Sequence, residues 1–338
     1  MNEIGNDEVV SALQALIDKF GEHIQPHAVA LVTQLATAFS TYCEGSEDDD
    51  EAAMAAAQCL DCITTVLSGV SARPDMFKVL EPRLISLIIF LLNNDGEYVE
   101  YFENAIDILN YLAYFGDDIS NELWELFPLV YLAFSKYASD YLNIVIGPID
   151  NFIGKAPEKF VQGTTTLPDG RIVRFIDIVF MIVATTLSAE DKATESDIRF
   201  ALSLFMSVLH NCKGLVDSFL VPINDLCLSK LGRVIQSDIP LTRISIFQVI
   251  ASALYYNPEL ELNDLERRGV THEVFMQWMK DLDHMDQWLP RKLTVLGLTS
   301  ILQIPVMSLP QTISHGIPQL ITATAKVSCK YLREQIST

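Results

Sequence analysis

The chain has 338 residues, with 23 Lys plus Arg against 44 Asp plus Glu, a formal net charge of −21 and a pI near 4.5. That balance excludes a direct nucleic-acid binder, because a phosphate backbone is held by clustered Lys and Arg that displace counterions. With 50% hydrophobic and only 20% charged residues, it also excludes a disordered chain and supplies material for a large core.

The charge is unevenly placed. Residues 1–170 carry 27 acids and 7 bases, a net −20, whereas residues 171–338 carry 17 acids and 16 bases, a net −1. Solubility would be served as well by charge spread along the chain, so the asymmetry points to an interaction surface in the first half. The six cysteines, Cys43, Cys59, Cys62, Cys212, Cys227 and Cys329, are scattered, and no Asn-x-Ser/Thr acceptor occurs, which fits a reducing compartment. Residues 1–10 lack the basic and apolar regions of a secretory signal. The longest apolar runs, Leu84–Leu92 and Phe175–Leu187, fall short of the roughly 20 residues a bilayer span needs, so no membrane partner is expected.

In chain order, apolar spacing predicts helices over 7–20, 26–43, 49–70, 74–93, 97–115, 120–138, 140–156, 171–187, 190–212, 215–235, 240–256, 260–266, 271–283, 287–302 and 310–334. Three stripes at i, i+3, i+4, i+7 and i+8 show the pattern: Leu84, Leu87, Ile88, Leu91 and Leu92; Ala201, Leu204, Phe205, Val208 and Leu209; Ile246, Val249, Ile250, Ala253 and Leu254. Gly and Pro punctuation at Asn94-Asp95-Gly96, Gly116, Gly214, Ser71–Pro74 and Asp238–Pro240 sets several ends. Hairpin signals are nearly absent, and Val161–Gly170 reads as a surface loop.

Two helices with their turns occupy about 45–50 residues, close to a HEAT or armadillo unit. The expected fold is therefore all-α: a HEAT-repeat solenoid, an α-α superhelix of about seven helical hairpins, forming one array over 1–338 with an acidic half and a near-neutral half. Amphipathic helix at both ends, with no polar cap, further suggests a piece of a longer array.

Chemistry is sparse. Phosphate-cradling glycine motifs and the G-x-S-x-G elbow are missing, so no cofactor and no catalytic residue is expected. Cys59-x-x-Cys62 lacks a second ligand pair and reads as small thiols packed in a helix; His23 and His27 flank Pro26 in a turn. Asp281, Asp283, His284 and Asp286 read as a solvated helix end. The most specific local feature is the acidic run Glu44, Glu47, Asp48, Asp49, Asp50 and Glu51, between two helices. With Asp95, Glu97, Glu100, Glu103, Asp107, Asp117, Asp118, Glu122 and Glu125 it forms a field suited to a basic partner. Tyr98, Tyr101, Phe102, Tyr111, Tyr114 and Phe115 are interleaved with these acids; most are expected to pack, and one or two exposed rings could meet a partner's Arg or Lys.

Further residues carry a resemblance. Ile250-Ala-Ser-Ala-Leu-Tyr-Tyr-Asn-Pro258, then Leu262, Leu265 and Glu266, then Phe275, Trp278 and Asp281, then Arg291-Lys292 and Val295-Leu-Gly-Leu298, resemble the late repeats of importin-7 and importin-8 type karyopherins. Met1-Asn-Glu-Ile4 with Asp7, Gln34-Leu-Ala36 with Phe39, and Trp124-x-Leu-Phe-Pro-Leu-Val130 with Phe134, Asp140 and Tyr141 extend it over essentially the whole chain. The resemblance implies the carboxy-terminal HEAT portion of a nuclear import receptor of the importin-β superfamily, which is not an enzyme. By the same implication the full-length protein carries basic cargo such as ribosomal proteins or linker histone and shuttles between cytoplasm and nucleus. It would touch phenylalanine-glycine nucleoporins and bind Ran-GTP mainly through amino-terminal repeats outside this chain, with importin β a further partner. A HEAT-repeat scaffold for protein complexes, without transport activity, is the alternative.

Overall fold

The computed structural model describes residues 7–45, 50–93, 95–189, 193–236 and 240–337. Seventeen α-helices occur among the described residues. The chain falls into two compact units: one formed by 1–156 and 163–178, the other by 157–162 and 179–338.

The first unit contains α1 (Asp7–Ile24), α2 (Ala28–Gly45), α3 (Asp50–Gly69), α4 (Pro74–Leu92), α5 (Phe102–Phe115), α6 (Asn121–Lys136) and α7 (Leu142–Lys155). Helices two apart in sequence lie side by side, so α1, α3, α5 and α7 form one layer and α2, α4 and α6 a second. The pairs α2/α3, α4/α5 and α6/α7 bridge the layers as hairpins. Between them lies a continuous strip of fully buried apolar side chains, among them Phe39, Ile63, Phe77, Phe102 and Phe152. By length and composition α3 could cross a bilayer (mean hydropathy 1.3), more than its sequence suggested. It carries Asp61, however, and packs against α1, α2 and α5, which accounts for its apolar faces as core.

The second unit contains α8 (Pro157–Gln162), most of α9 (Phe175–Ser188), α10 (Glu195–Asn211), α11 (Leu220–Val234), α12 (Leu241–Tyr256), α13 (Pro258–Arg268), α14 (Thr271–Asp281), α15 (Trp288–Ile301), α16 (Gln311–Ser314) and α17 (Ile317–Ser337). Here α10, α12, α15 and α17 are successive neighbours, with α11, α13, α14 and α16 on the other side. Helix α12 is the centre, touching α10, α11, α13, α14 and α15. The approach of α15 is so close that a Cβ on Gly297 would stand 2.8 Å from both Cα and O of Ala251.

The repeat length is written in the side-chain hydrogen bonds. Tyr101 Oη reaches the Ala53 carbonyl, Asn104 reaches Asp61, Asn151 reaches Asn110, and Arg243 reaches Asp281, pairs 48, 43, 41 and 38 residues apart. Each bond therefore spans one hairpin, the nearest-neighbour stacking that defines a HEAT-type array. The all-α fold of stacked HEAT-type hairpins agrees with the sequence reading.

Four local readings change. Residues 164–174 form a small antiparallel hairpin, β1 (Thr164–Thr166) pairing with β2 (Ile172–Arg174), where a loop and helix were expected. Gly170 takes φ 84 in the turn, and Asp169 accepts from the Arg171 N–H at 3.0 Å, a local turn that overrides the apolar run until Phe175. Tyr98 and Tyr101 precede α5 rather than lie on it, because Asp95 and Gly96 turn left-handed and a 3₁₀ turn, Val99–Tyr101, follows. The short 260–266 piece is the longer α13, which Asn257 caps, Pro258 starts and Gly269 stops in the left-handed conformation. The last predicted helix is broken at Gly316 into α16 and α17.

Candidate functional site

The acidic residues of the first unit gather at two ends of one helix. Glu97 precedes the 3₁₀ turn before α5, Glu100 is its central residue, and Glu103 lies in the first turn of α5; all three side chains are exposed. Tyr101 docks this turn against the start of α3, donating from Oη to the Ala53 carbonyl at 3.4 Å, while its ring packs edge-on to Phe39 at 5.4 Å. Burial, reinforced by Cys43 and the Glu100 carboxylate, pushes the Tyr101 phenol up to about 12. Exposed Glu51 opens α3 beside it. Acids here also meet the positive ends of two helices, which favours them by a few tenths of a kcal/mol each.

The acidity continues along the α3/α5 face. Asn104 donates to Asp61 at 2.7 Å, and the Asp107 carboxyl is raised by burial and then by Glu103 and Asp61. Three carboxylates therefore share one face of two adjacent helices, and Glu103 and Asp61 add to burial in making Asp107 harder to ionise.

Asp117 and Asp118 lie beyond the other end of α5, about 20 Å from Glu103 along the helix axis. With Glu81 and Glu122 they line a groove of about 670 Å³ between α4 and the α5–α6 turn. Lys78 is its cation. Lys155 nearby is engaged in closing α5, donating to the Tyr114 carbonyl at 2.6 Å and the Gly116 carbonyl at 2.5 Å. Among the described residues, Glu97, Glu100, Glu103, Asp107, Asp117, Asp118, Glu122 and Glu125 make no ion pair; Asp95 pairs with Lys136 at 2.7 Å.

Of the acidic residues singled out by sequence, the structure thus brings Glu51, Glu97, Glu100 and Glu103 to one end of the α3/α5 pair and separates Asp117 and Asp118 from them. Glu44 lies in the last turn of α2 and Asp50 begins α3; Glu47, Asp48 and Asp49 lie outside the described residues. Of the interleaved rings, Tyr101 and Phe102 are buried and Tyr114 is 59% exposed. Tyr114 lies three residues before Asp117, in the last turn of α5.

Elsewhere, Cys59 and Cys62 are fully buried thiols outside any disulfide, and burial pushes Cys59 up to about 12. No group of three metal-ligating side chains occurs among the described residues. Asp281, read from sequence as part of a solvated helix end, is instead buried: Arg243 of α12 donates to its two oxygens at 2.7 and 2.9 Å. Its neighbours Asp283, His284 and Asp286 are exposed. A second buried polar group was not legible at all. Asn224 of α11 donates to Glu261 and Asp264 of α13, each at 2.9 Å, and Arg268 clamps Asp264 at 2.7 Å. Both groups join neighbouring hairpins within the second unit and serve packing.

No family model matches the chain. Among curated proteins it is 30% identical over 344 residues to the importin beta-like SAD2 homolog of Arabidopsis thaliana, covering 98% of this chain and 32% of that protein. It is 25% identical to the probable importin-7 homolog of Dictyostelium discoideum (90% of this chain, 28% of that protein) and 24% identical to importin-8 of Mus musculus (90% and 29%). Among solved structures, the crystal structure of Kap121p matches with a TM-score of 0.49 at 11% identity, over 95% of this chain and 34% of that one. The chain spans about a third of the length of the curated relatives it matches.

Proposed function

Starting from its homology to a carboxy-terminal-type segment of importin-7 and importin-8 type karyopherins, we propose that the chain is part of a nuclear transport receptor and holds basic protein cargo against the acidic surface of its first unit. The observation that carries the reading is that the exposed carboxylates Glu97, Glu100, Glu103, Asp117 and Asp118, at the two ends of α5, make no ion pair among the described residues. Cargo rich in Lys and Arg, such as ribosomal proteins or linker histone, suits that field. Glu97, Glu100 and Glu103, with Glu51 at the start of α3, would form one contact area; Asp117 and Asp118, in the groove between α4 and the α5–α6 turn, would form the other.

Opposite charge accelerates encounter, and many exposed pairs, each worth about 0–1 kcal/mol, allow release. In the full-length receptor, release would be driven by Ran-GTP, passage by weak contacts with phenylalanine-glycine nucleoporins, and importin β could share the load. The protein would then cycle between cytoplasm and nucleus. Its chemistry would be binding rather than catalysis.

The test is a binding titration of purified linker histone at low and high salt. Affinity should fall steeply as salt rises, and Glu97→Gln/Glu100→Gln/Glu103→Gln should slow association more than it speeds dissociation. Salt-independent affinity would sink the electrostatic reading. Binding that persists in the full-length protein when Ran-GTP is added would favour a scaffold over a transport receptor.

A further inference from the structure

A pocket of about 270 Å³ lies wholly in the second unit, between α14, α16 and the start of α17. Helix α14 presents two stripes. Val274 and Trp278 turn into the core, where Trp278 stacks on Phe247 of α12. His272, Phe275, Met276 and Met279, at i, i+3, i+4 and i+7, line the pocket instead. Ile313 of α16 and Leu320 of α17 form the facing wall. Thr312 donates to Glu266 of α13, which fixes α16 in place. The apolar lining reaches solvent at Met276, which is 48% exposed, and the rim is polar, with His272, His315 and Gln319 exposed.

The chemistry of the lining defines the occupant. Among the described residues no Asp, Glu, Lys or Arg lines the pocket, so a charged side chain entering it would shed its water and find no counter-charge. The volume is below the range of about 300–1,000 Å³ typical of small-molecule sites and suits one large side chain, an apolar anchor inside a polar rim. The wall also holds Thr271, only 2% exposed, whose Oγ1 makes no hydrogen bond among the described residues. A buried hydroxyl with nothing to bond is an exception that calls for a partner. The sulfurs of Met276 and Met279 favour an aromatic ring over an aliphatic chain. An uncharged ring ending in a group that both donates and accepts is a tyrosine. Phenylalanine would fill the same space and leave Thr271 Oγ1 unpaired.

We propose that this pocket is a docking site for a tyrosine side chain of a partner protein, its ring lying against Phe275, Met276 and Met279 and its hydroxyl hydrogen-bonded to Thr271 Oγ1. The site is independent of the cargo reading, which concerns basic ligands and the other unit, so either can fail alone.

The experiment follows the methyl signals of the nine methionines of the 338-residue chain by ¹³C NMR as the peptides Gly-Ser-Tyr-Ser-Gly and Gly-Ser-Phe-Ser-Gly are added. The Tyr peptide should shift Met276 and Met279 selectively and bind about fivefold more tightly than the Phe peptide, the worth of one neutral hydrogen bond. Thr271→Val should erase that preference and leave the Phe affinity unchanged. In thermal denaturation this variant should be no less stable than wild type, because the hydroxyl it loses is unpaired. Met276→Ala, on the surface, should weaken both peptides several-fold, read from Met279. Equal or tighter binding of the Phe peptide to wild type would overturn the proposal in favour of a plain apolar groove. A Tyr preference that survives Thr271→Val, shifts spread over the remaining methionines, or no shift with either peptide would overturn it as well.

Discussion

The buried Arg243–Asp281 pair makes a sharp test of how the second unit is held together. The two side chains are 7% and 3% exposed and share bonds of 2.7 and 2.9 Å, while Gln277 donates a third, at 3.2 Å, to the same carboxylate. Two unit charges about 4 Å apart attract by about 4 kcal/mol at an effective dielectric constant near 20, and their desolvation consumes a comparable amount. The pair is therefore close to neutral as a unit and costly to break. Asp281→Ala leaves the guanidinium buried without its carboxylate, although it still donates to the Val234 carbonyl at 3.3 Å, and should destabilise the unit by about 3–5 kcal/mol. Arg243→Met/Asp281→Leu removes both charges and fills the space, so it should recover at least about 2 kcal/mol of that loss. Urea unfolding read from fluorescence reports this well in a Trp124→Phe background. The remaining buried indole, Trp278, lies one turn from Asp281 and stacks on Phe247 at 5.8 Å. If Asp281→Ala lies within about 1 kcal/mol of wild type, or if the double variant is no better than the single, the pair does not latch α12 to α14 and the reasoning fails.

Three further outcomes are expected. Burial pushes Glu261 up to about 8, so the folded state holds its proton more tightly than the unfolded chain and stability falls as pH rises from about 4.5 to 8. Glu261→Gln should abolish that decline, about 3 kcal/mol between pH 4.5 and 7, and its amide can serve the otherwise unpaired Asn224 Oδ1; identical pH profiles for variant and wild type would contradict this. Gly297→Ala should cost about 1–3 kcal/mol in thermal denaturation, because the added methyl meets Ala251 backbone rather than a movable side chain. In native protein one thiol, exposed Cys329, should react rapidly with a disulfide reagent, and all six should react in denaturant; fast labelling of a second native thiol would contradict the burial of Cys43, Cys59, Cys62, Cys212 and Cys227.

The helices were legible because most bury a single face, so that Leu84, Leu87, Ile88 and Leu91 announce themselves at a period of 3.6. Helix α12 shows where that signal ends. It buries Thr242, Arg243, Ser245, Gln248 and Ser252 along with its apolar stripe, because neighbours surround it, and a helix buried all round has no polar face to read. The acidic turns of α5 were visible for the opposite reason: exposed charge needs no partner and so leaves its full density in the sequence. Asp281 looked the same as those exposed acids. What distinguishes it is Arg243, 38 residues upstream, a distance set by the stacking of one hairpin on the next and invisible within any local window.

That contrast gives the net charge of −21 a structural meaning. In the second unit the acids that matter to the fold are matched one repeat away or within their own helix: Asp281 by Arg243, and Asp264 by Arg267, Arg268 and Asn224. Such pairing is a cost of folding that the same residues recover internally, and it leaves little field outside. In the first unit Glu97, Glu100, Glu103, Asp107, Asp117 and Asp118 face water, and the proton affinity of Asp107 is raised by burial and then by the Glu103 and Asp61 carboxylates. Mutual repulsion of this kind lowers the stability of the unit that bears it. It is relieved when a cation approaches, so the same carboxylates that strain the free protein would contribute most to a basic partner's binding, and removing them should stabilise the unit while weakening the complex.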